Sequence, residues 1–219
     1  MIIYHGSNII VKKPLHGYGK TTNDYGQGFY CTENAELAKE WASINKEGGF
    51  INSYNLDMDG LSMLVLDETN VIEWISILVQ HRYVRYSSPV ERKAAEYLIS
   101  NFTPETIDYD VIKGYRADDS YFSYVRAFLS NTISLQQLSQ AMKLGDLGVQ
   151  VFLKSKKAFE QIHFIEADTV PGEEYYRKKV NRDSKAREGY NKLLEENVSD
   201  GIFVRDILGK EMKANELRI

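Results

Sequence analysis

Cysteine is almost missing from this chain. With Cys31 alone in 219 residues, no intramolecular disulfide and no multi-cysteine zinc site can form, which suits a reducing compartment. Proline is scarce as well, at 4 residues, and no tract is biased in composition, so neither disorder nor a linker-built chain is expected. There is no excess of positive charge: Lys and Arg number 27 against 31 for Asp and Glu, and the net charge of -4 gives no global footprint for nucleic acid, leaving only a local basic patch open. Long apolar runs are absent. The longest, Trp74 to Val79 with Ser76 inside it, is far too short to span a membrane, and no charged-then-apolar leader opens the sequence, so a cytoplasmic location without membrane contact is expected. The histidines, His5, His16, His81 and His163, lie far apart without ligand-type spacing, so no metal site is expected. No internal repeat is present. Hydrophobic residues at 43% and charged residues at 26% are those of a folded protein long enough to bury a core, read as one domain over 1–219.

What is present concentrates between Asp24 and Trp41. Gly26 and Gly28 bracket the entry to a strand, where the backbone bends sharply or admits a close approach. Tyr30 should face opposite to Phe29 and Cys31, placing one face in the core and the other along a cleft. Thr32 or Asn34 can cap the following helix, with Glu36 well placed against its positive end. Ala35, Ala38, Trp41 and Ala42 share a helix face whose small residues let it lie close to a sheet while Trp41 reaches back toward Tyr30. Two such rings can sandwich a flat heteroaromatic group, or can simply both be core.

Along the chain, Met1 to Tyr4 reads as a strand stopping at His5-Gly6-Ser7-Asn8, with His5 at its end, and 9–23 reads as loop. The helix after Asn34 is expected to fade at Gly48-Gly49. Phe50 to Leu56 and Leu61 to Leu66 read as a hairpin around Asp57 to Gly60. Helices are predicted at Asn70 to Val84, from Ser88-Pro89 to about Asn101 with a capping box, at Asp119 to Ser130 and at Ser134 to Lys143 before Gly145; a short strand is placed at Tyr109 to Tyr115. Leu147 to Leu153 is a strand interrupted by Gln150, a polar residue that must be hydrogen-bonded or face a ligand. A short helix at Lys156 to Ile162, a strand at His163 to Val170, one or two charged helices over Glu173 to Asn197 and a last strand at Gly201 to Leu208 complete the reading.

Tyr4-His5-Gly6-Ser7-Asn8, Asp24-Tyr25-Gly26-Gln27-Gly28-Phe29-Tyr30 and Ala38-Lys39-Glu40-Trp41-Ala42 resemble the bacterial family catalogued as domain of unknown function 3990, and through it the H-Y-E type of ADP-ribosyltransferase related to diphtheria toxin and poly(ADP-ribose) polymerases. The resemblance implies an α+β fold, an ADP-ribosyltransferase-like split β-sandwich with a mostly helical insertion at about 68–145. It implies NAD as substrate, no metal, and catalytic residues His5, Tyr30 and Gln150. His5, Gly6, Ser7, Tyr30 and Trp41 would bind the cofactor: His5 the adenosine-side ribose, the Gly6 backbone the nicotinamide amide, Tyr30 and Trp41 the two ring faces. Gln150 fills the place of a glutamate that bonds the nicotinamide-side ribose, and Ala38 the place of a serine, departures that favour single transfer over polymer synthesis. A toxin or effector is implied, with a protein or nucleic-acid acceptor and an antitoxin or regulatory partner. Lys154, Lys156 and Lys157 can meet the pyrophosphate or be solvated; Asp118 and Asp119 can offer a carboxylate or cap a helix. An impaired NAD- or nucleotide-binding module is the alternative. An RNA-processing phosphotransferase of related fold is disfavoured, because no arginine and histidine set for phosphates clusters near His5.

Overall fold

The computed structural model describes residues 1–44, 46–117, 119–144, 148–195 and 201–217. Its architecture is mixed α+β, organised by two sheets. The first has the order β1 (Ile2–Ser7), β3 (Gly49–Leu56), β7 (Ile162–Val170), all antiparallel. The second has the order β2 (Phe29–Cys31), β6 (Val149–Leu153), β5 (Val111–Tyr115), β4 (Met63–Val65), antiparallel except for the β4–β5 pair. Side chains from both sheets, among them Ile3, Tyr54 and Leu56 from the first and Cys31, Val111, Val151 and Leu153 from the second, share one buried cluster. The sheets therefore pack face to face.

Alternation along the strands distributes the other faces. On β6, Val151 and Leu153 enter the inter-sheet core, while Gln150 and Phe152 turn to the opposite side, where Phe152 joins the larger core of α2 (Val71–His81), α3 (Pro89–Phe102), α4 (Asp119–Leu129) and α5 (Leu135–Ala141). The outer face of the first sheet is covered by α1 (Ala35–Ala42) and the start of α7 (Gly172–Glu195), through Ala38, Ala42, Ile51, Val170 and Tyr175. The helix α6 (Lys156–Glu160) joins β6 to β7, and α8 (Val204–Lys210) packs on α3.

Several expectations change. β1 continues through His5 and Gly6 to Ser7 because β3 pairs with it as far as Ser7–Phe50. α1 ends at Ala42, with the Ser43 N–H on the Glu40 carbonyl, well before Gly48. The hairpin at 50–66 does not form. β3 and β4 belong to different sheets, and β4 pairs in parallel with β5, which requires a long crossover supplied by α2 and α3. The interval 68–145 is mostly helical yet contains β5, an inner strand of the second sheet. The strand expected at 201–208 is α8: Val204 and Ile207 are buried at helical spacing, and the Asp206 carboxylate accepts the Phe203 N–H at 2.9 Å. Among the elements as expected are α2, α3 with Ser88 at its cap, α4, α5 and β7. Leu147 and Gly145 lie outside the described residues.

The sheets touch at one more point. Tyr4 and Thr32 exchange both backbone hydrogen bonds, at 2.8 and 2.9 Å, and beyond this single bridge β1 and β2 part. A cleft opens where they separate.

Candidate functional site

The cleft, of about 450 Å³, is lined by His5, Gly6, Asn23, Asp24, Tyr30, Trp41, Ile44, Arg82, Arg116, Ala117, Gln150 and Lys179. Two larger depressions, of about 620 and 660 Å³, lie beside charged helices, so size does not select the site. The chemistry of the lining does.

His5 stands where the strands diverge, and its Nδ1 is 2.7 Å from the Tyr30 carbonyl, a pairing that requires the proton on Nδ1. Burial lowers its pKa below the ordinary 6.5, with the carbonyl bond opposing, so the ring is neutral at pH 7 and Nε2 remains an acceptor. Backbone groups alternate sides along a strand. Since Tyr4 presents its N–H and C=O to Thr32, Gly6 presents its own to the same edge, where no strand follows, and that donor and acceptor pair is complementary to a primary carboxamide. Gly6 must also lack a side chain. A methyl there would lie inside the Ala38 carbonyl, because α1 rests directly on β1. Asn34 caps α1 by accepting from Glu36 and Leu37 N–H, fixing where the helix begins and hence where Trp41 points; such caps contribute about 1 kcal/mol.

Tyr30 turns away from Phe29 and Cys31, as alternation requires, and packs on Phe152 with ring centroids 4.8 Å apart. Its hydroxyl accepts from Tyr25 N–H at 3.0 Å and donates to Gly26 C=O at 2.7 Å, so the ring also pins the turn that carries Asp24. Burial pushes the pKa of this phenol far up. Trp41 is half-buried with the Arg116 guanidinium 5.0 Å over its ring, and its indole N–H is buried without an acceptor among the described residues.

Gln150 is 3% exposed, and both N–H bonds of its amide are committed: Nε2 donates to Asp24 Oδ2 at 2.9 Å and to the Tyr115 carbonyl at 3.1 Å. Its remaining polar atom is Oε1. Asp24, 5% exposed, also accepts from Ala117 N–H on Oδ2 at 2.9 Å and from Arg82 on Oδ1 at 3.1 Å. Burial raises its pKa above the ordinary aspartate value, against the opposing pull of those bonds and of the Arg82 and Arg116 charges.

Five of the residues singled out from sequence, His5, Gly6, Tyr30, Trp41 and Gln150, therefore meet in one cleft. Ser7 lies elsewhere, its hydroxyl bonded to the Ile9 carbonyl and to Asn52. The cations of the cleft are Arg82, Arg116 and Lys179. Lys154 and Lys157 instead bind the Thr106 and Gly60 carbonyls, and Lys156 pairs with Glu160 on the surface. Asp118 and the side chain of Asp119 lie outside what is described. In the sequence Asp24 stands only at the start of the stretch Asp24 to Tyr30, its signal being an acid beside aromatic residues, glycines and one glutamine. Arg82, Arg116 and Lys179 arrive from three distant segments, which no local spacing links. Cys31 is fully buried and its thiol pKa is pushed up, so it offers no nucleophile. Among the described residues no group of three or more His, Cys, Asp or Glu is placed to hold a metal, and no helix is long and apolar enough to cross a membrane.

The family described as "Protein of unknown function (DUF3990)" matches residues 1–164. The chain belongs to the DUF3990 family. None of the curated proteins and none of the solved structures matches it. The matched segment of this DUF3990 protein supplies every lining residue of the cleft except Lys179, which comes from α7.

Proposed function

We propose that this DUF3990 protein is a mono-ADP-ribosyltransferase that uses NAD, on an ADP-ribosyltransferase-like split sandwich. The observation that carries the reading is the convergence of His5, Gly6, Tyr30, Trp41 and Gln150, which come from four separate elements, on one cleft. Neutral His5 offers Nε2 to a ribose hydroxyl, and the free edge of Gly6 offers a matched pair to the nicotinamide carboxamide. Tyr30 and Trp41 flank the ring. Arg82, Arg116 and Lys179 give the pyrophosphate a cationic wall. The amide at Gln150 favours a second reading, a module that binds NAD without turning it over, since an amide brings no charge to an oxocarbenium-like transition state.

Incubating the protein with NAD labelled in its adenylate part, with and without a cell lysate, separates the two. The expected result is release of nicotinamide together with label on a macromolecule, protein or nucleic acid. Binding of NAD by calorimetry without release leaves the binding module standing, and absence of binding removes both.

A further inference from the structure

Asp24 is the one carboxylate among the described residues that line the cleft, and it sits within hydrogen-bond distance of Gln150. The two ends of a glutamine amide differ in what they can bond. Here Asp24 Oδ2 and the Tyr115 carbonyl, both acceptors, lie on one side of the amide and hold Nε2 there. The Tyr115 carbonyl is itself fixed by donations from Tyr25 Oη at 2.8 Å and Trp74 Nε1 at 3.0 Å. Turning the amide over would set its oxygen against two acceptors, so the network permits one orientation.

We propose that Asp24 is a positioning residue for the transfer reaction: it holds the Gln150 amide with Oε1 toward the nicotinamide-side ribose and supplies, through that hydrogen bond, the negative charge that an amide lacks. The inference rests on the NAD reading above. In the step concerned, the bond between ribose C1′ and the nicotinamide nitrogen breaks. The electron pair goes to that nitrogen, neutralising the pyridinium, and the cation is left on the ribose. A lone pair of the acceptor then forms the new bond at C1′, and the acceptor's proton passes to solvent; with water as acceptor the products are nicotinamide, ADP-ribose and a proton. Oε1, polarised by a donation from its own amide nitrogen to a carboxylate, is a stronger acceptor toward the ribose hydroxyl than a free amide. Arg82 occupies the other oxygen, Oδ1, while Oδ2 accepts from both Gln150 and the Ala117 N–H. The charged and titratable groups facing the pair are Arg82 at the end of α2, Arg116 after β5, Lys179 on α7, neutral His5 on β1, Tyr30 on β2 and Tyr25, whose buried phenol has its pKa pushed up.

The experiment measures nicotinamide release per folded molecule for the parent, Asp24→Asn, Gln150→Glu and the double variant, with NAD affinity measured alongside. Asp24→Asn is expected to lose about a hundredfold in kcat, the size of one preorganised electrostatic contact, with KM little changed. Gln150→Glu sets a second carboxylate against Asp24 and the Tyr115 carbonyl. The two carboxylates must then share a proton, and the introduced side chain, once protonated, mimics glutamine, so this variant should gain an alkaline limb in its pH profile that the parent lacks. The double variant should lose that limb. Because Gln150→Glu leaves the Arg82 and Ala117 contacts of Asp24 in place, it decides the matter even when Asp24→Asn fails to fold. A Gln150→Glu protein that is faster than the parent without a new limb, or an Asp24→Asn protein with the parental kcat, overturns this inference alone. A parent that releases no nicotinamide, with or without a lysate, overturns the transferase reading and this inference together.

Discussion

His5 shows how one side chain ties folding to chemistry. Its Nδ1 closes the gap left where β1 and β2 part, and burial keeps the ring neutral. A histidine whose folded pKa lies below its unfolded value contributes stability that is complete above the unfolded value of 6.5 and is lost as pH falls through the folded one, because the unfolded chain takes up a proton that the folded chain refuses. His81, also lowered by burial, adds in the same sense. Asp24 works the other way: its folded pKa is raised, so its contribution is complete below the unfolded aspartate value and is lost as pH rises through the folded one. The two histidines are therefore expected to lower the melting temperature as pH drops from about 8 to about 5, the range in which histidine titrates, with Asp24 opposing them. His5→Gln, which can still donate to the Tyr30 carbonyl, should flatten part of that fall; thermal melts of both proteins across the range check this, and parallel curves would place the proton uptake elsewhere. The two hydrogen bonds of the Tyr30 hydroxyl give a further caution at this scale. Removing the whole ring would release the Asp24 turn as well as the stacking surface, so Tyr30→Phe, not alanine, is the variant that isolates the hydroxyl.

At the scale of elements, the seating of α1 on β1 sets the width of the cleft. Ala38 and Ala42 are buried against the first sheet, and Gly6 allows contact at backbone distance. Gly6→Ala should drive the helix off the strand and cost about 3 kcal/mol or more, the range of overpacking at a rigid contact. Gly209 in α8 has open space around its Cβ position, so Gly209→Ala should stabilise by roughly 0.5–1 kcal/mol through helix propensity. Denaturant unfolding of the two variants reads opposite signs from the same chemical change, and equal shifts would show that α1 can yield. The residues that make this contact were legible beforehand as a small-residue helix face. That the sheet surface opposite is β1 was not, because helical spacing identifies a buried face without naming the strand it meets.

The whole molecule closes around α7, which lies entirely beyond the segment matched to the DUF3990 family. Tyr175 covers the outer face of the first sheet, Arg182 pairs with Glu40 of α1 at 2.5 Å with both side chains nearly buried, Tyr190 stacks on Tyr124 at 4.1 Å, and Gln137 donates to the Leu193 carbonyl. The helix thus bridges both layers and delivers Lys179 to the cleft. A chain cut after Pro171 keeps every described strand but loses α7 and α8, uncovering these contacts and the apolar surfaces of both layers and removing the Arg182 cation that pairs with Glu40. It is expected to lose a cooperative thermal transition and to bind a hydrophobic dye such as ANS; a truncated chain that melts cooperatively would show α7 and α8 to be accessories.

By itself the sequence determined whatever depends on near neighbours in the chain. The periodicity of Val71 to Val79 made α2, Ser88-Pro89 began α3, Thr32 and Asn34 offered a cap for α1 that Asn34 supplies, and alternation turned Tyr30 away from Phe29 and Cys31. His5, Gly6, Tyr30, Trp41 and Gln150 could be marked because each carries a local oddity: a histidine beside a glycine, a tyrosine after two glycines, a glutamine inside an apolar strand. Tertiary structure alone decided that β3 and β4 part into different sheets, that 204–210 is helical, and that Asp24, Arg82, Arg116 and Lys179 complete the cleft. The reason is physical. Spacing along the chain reports which side of an element is buried, whereas strand partnership and the company of a buried charge depend on contacts between segments tens of residues apart, formed only once the sheets have packed and the strands β1 and β2 have separated.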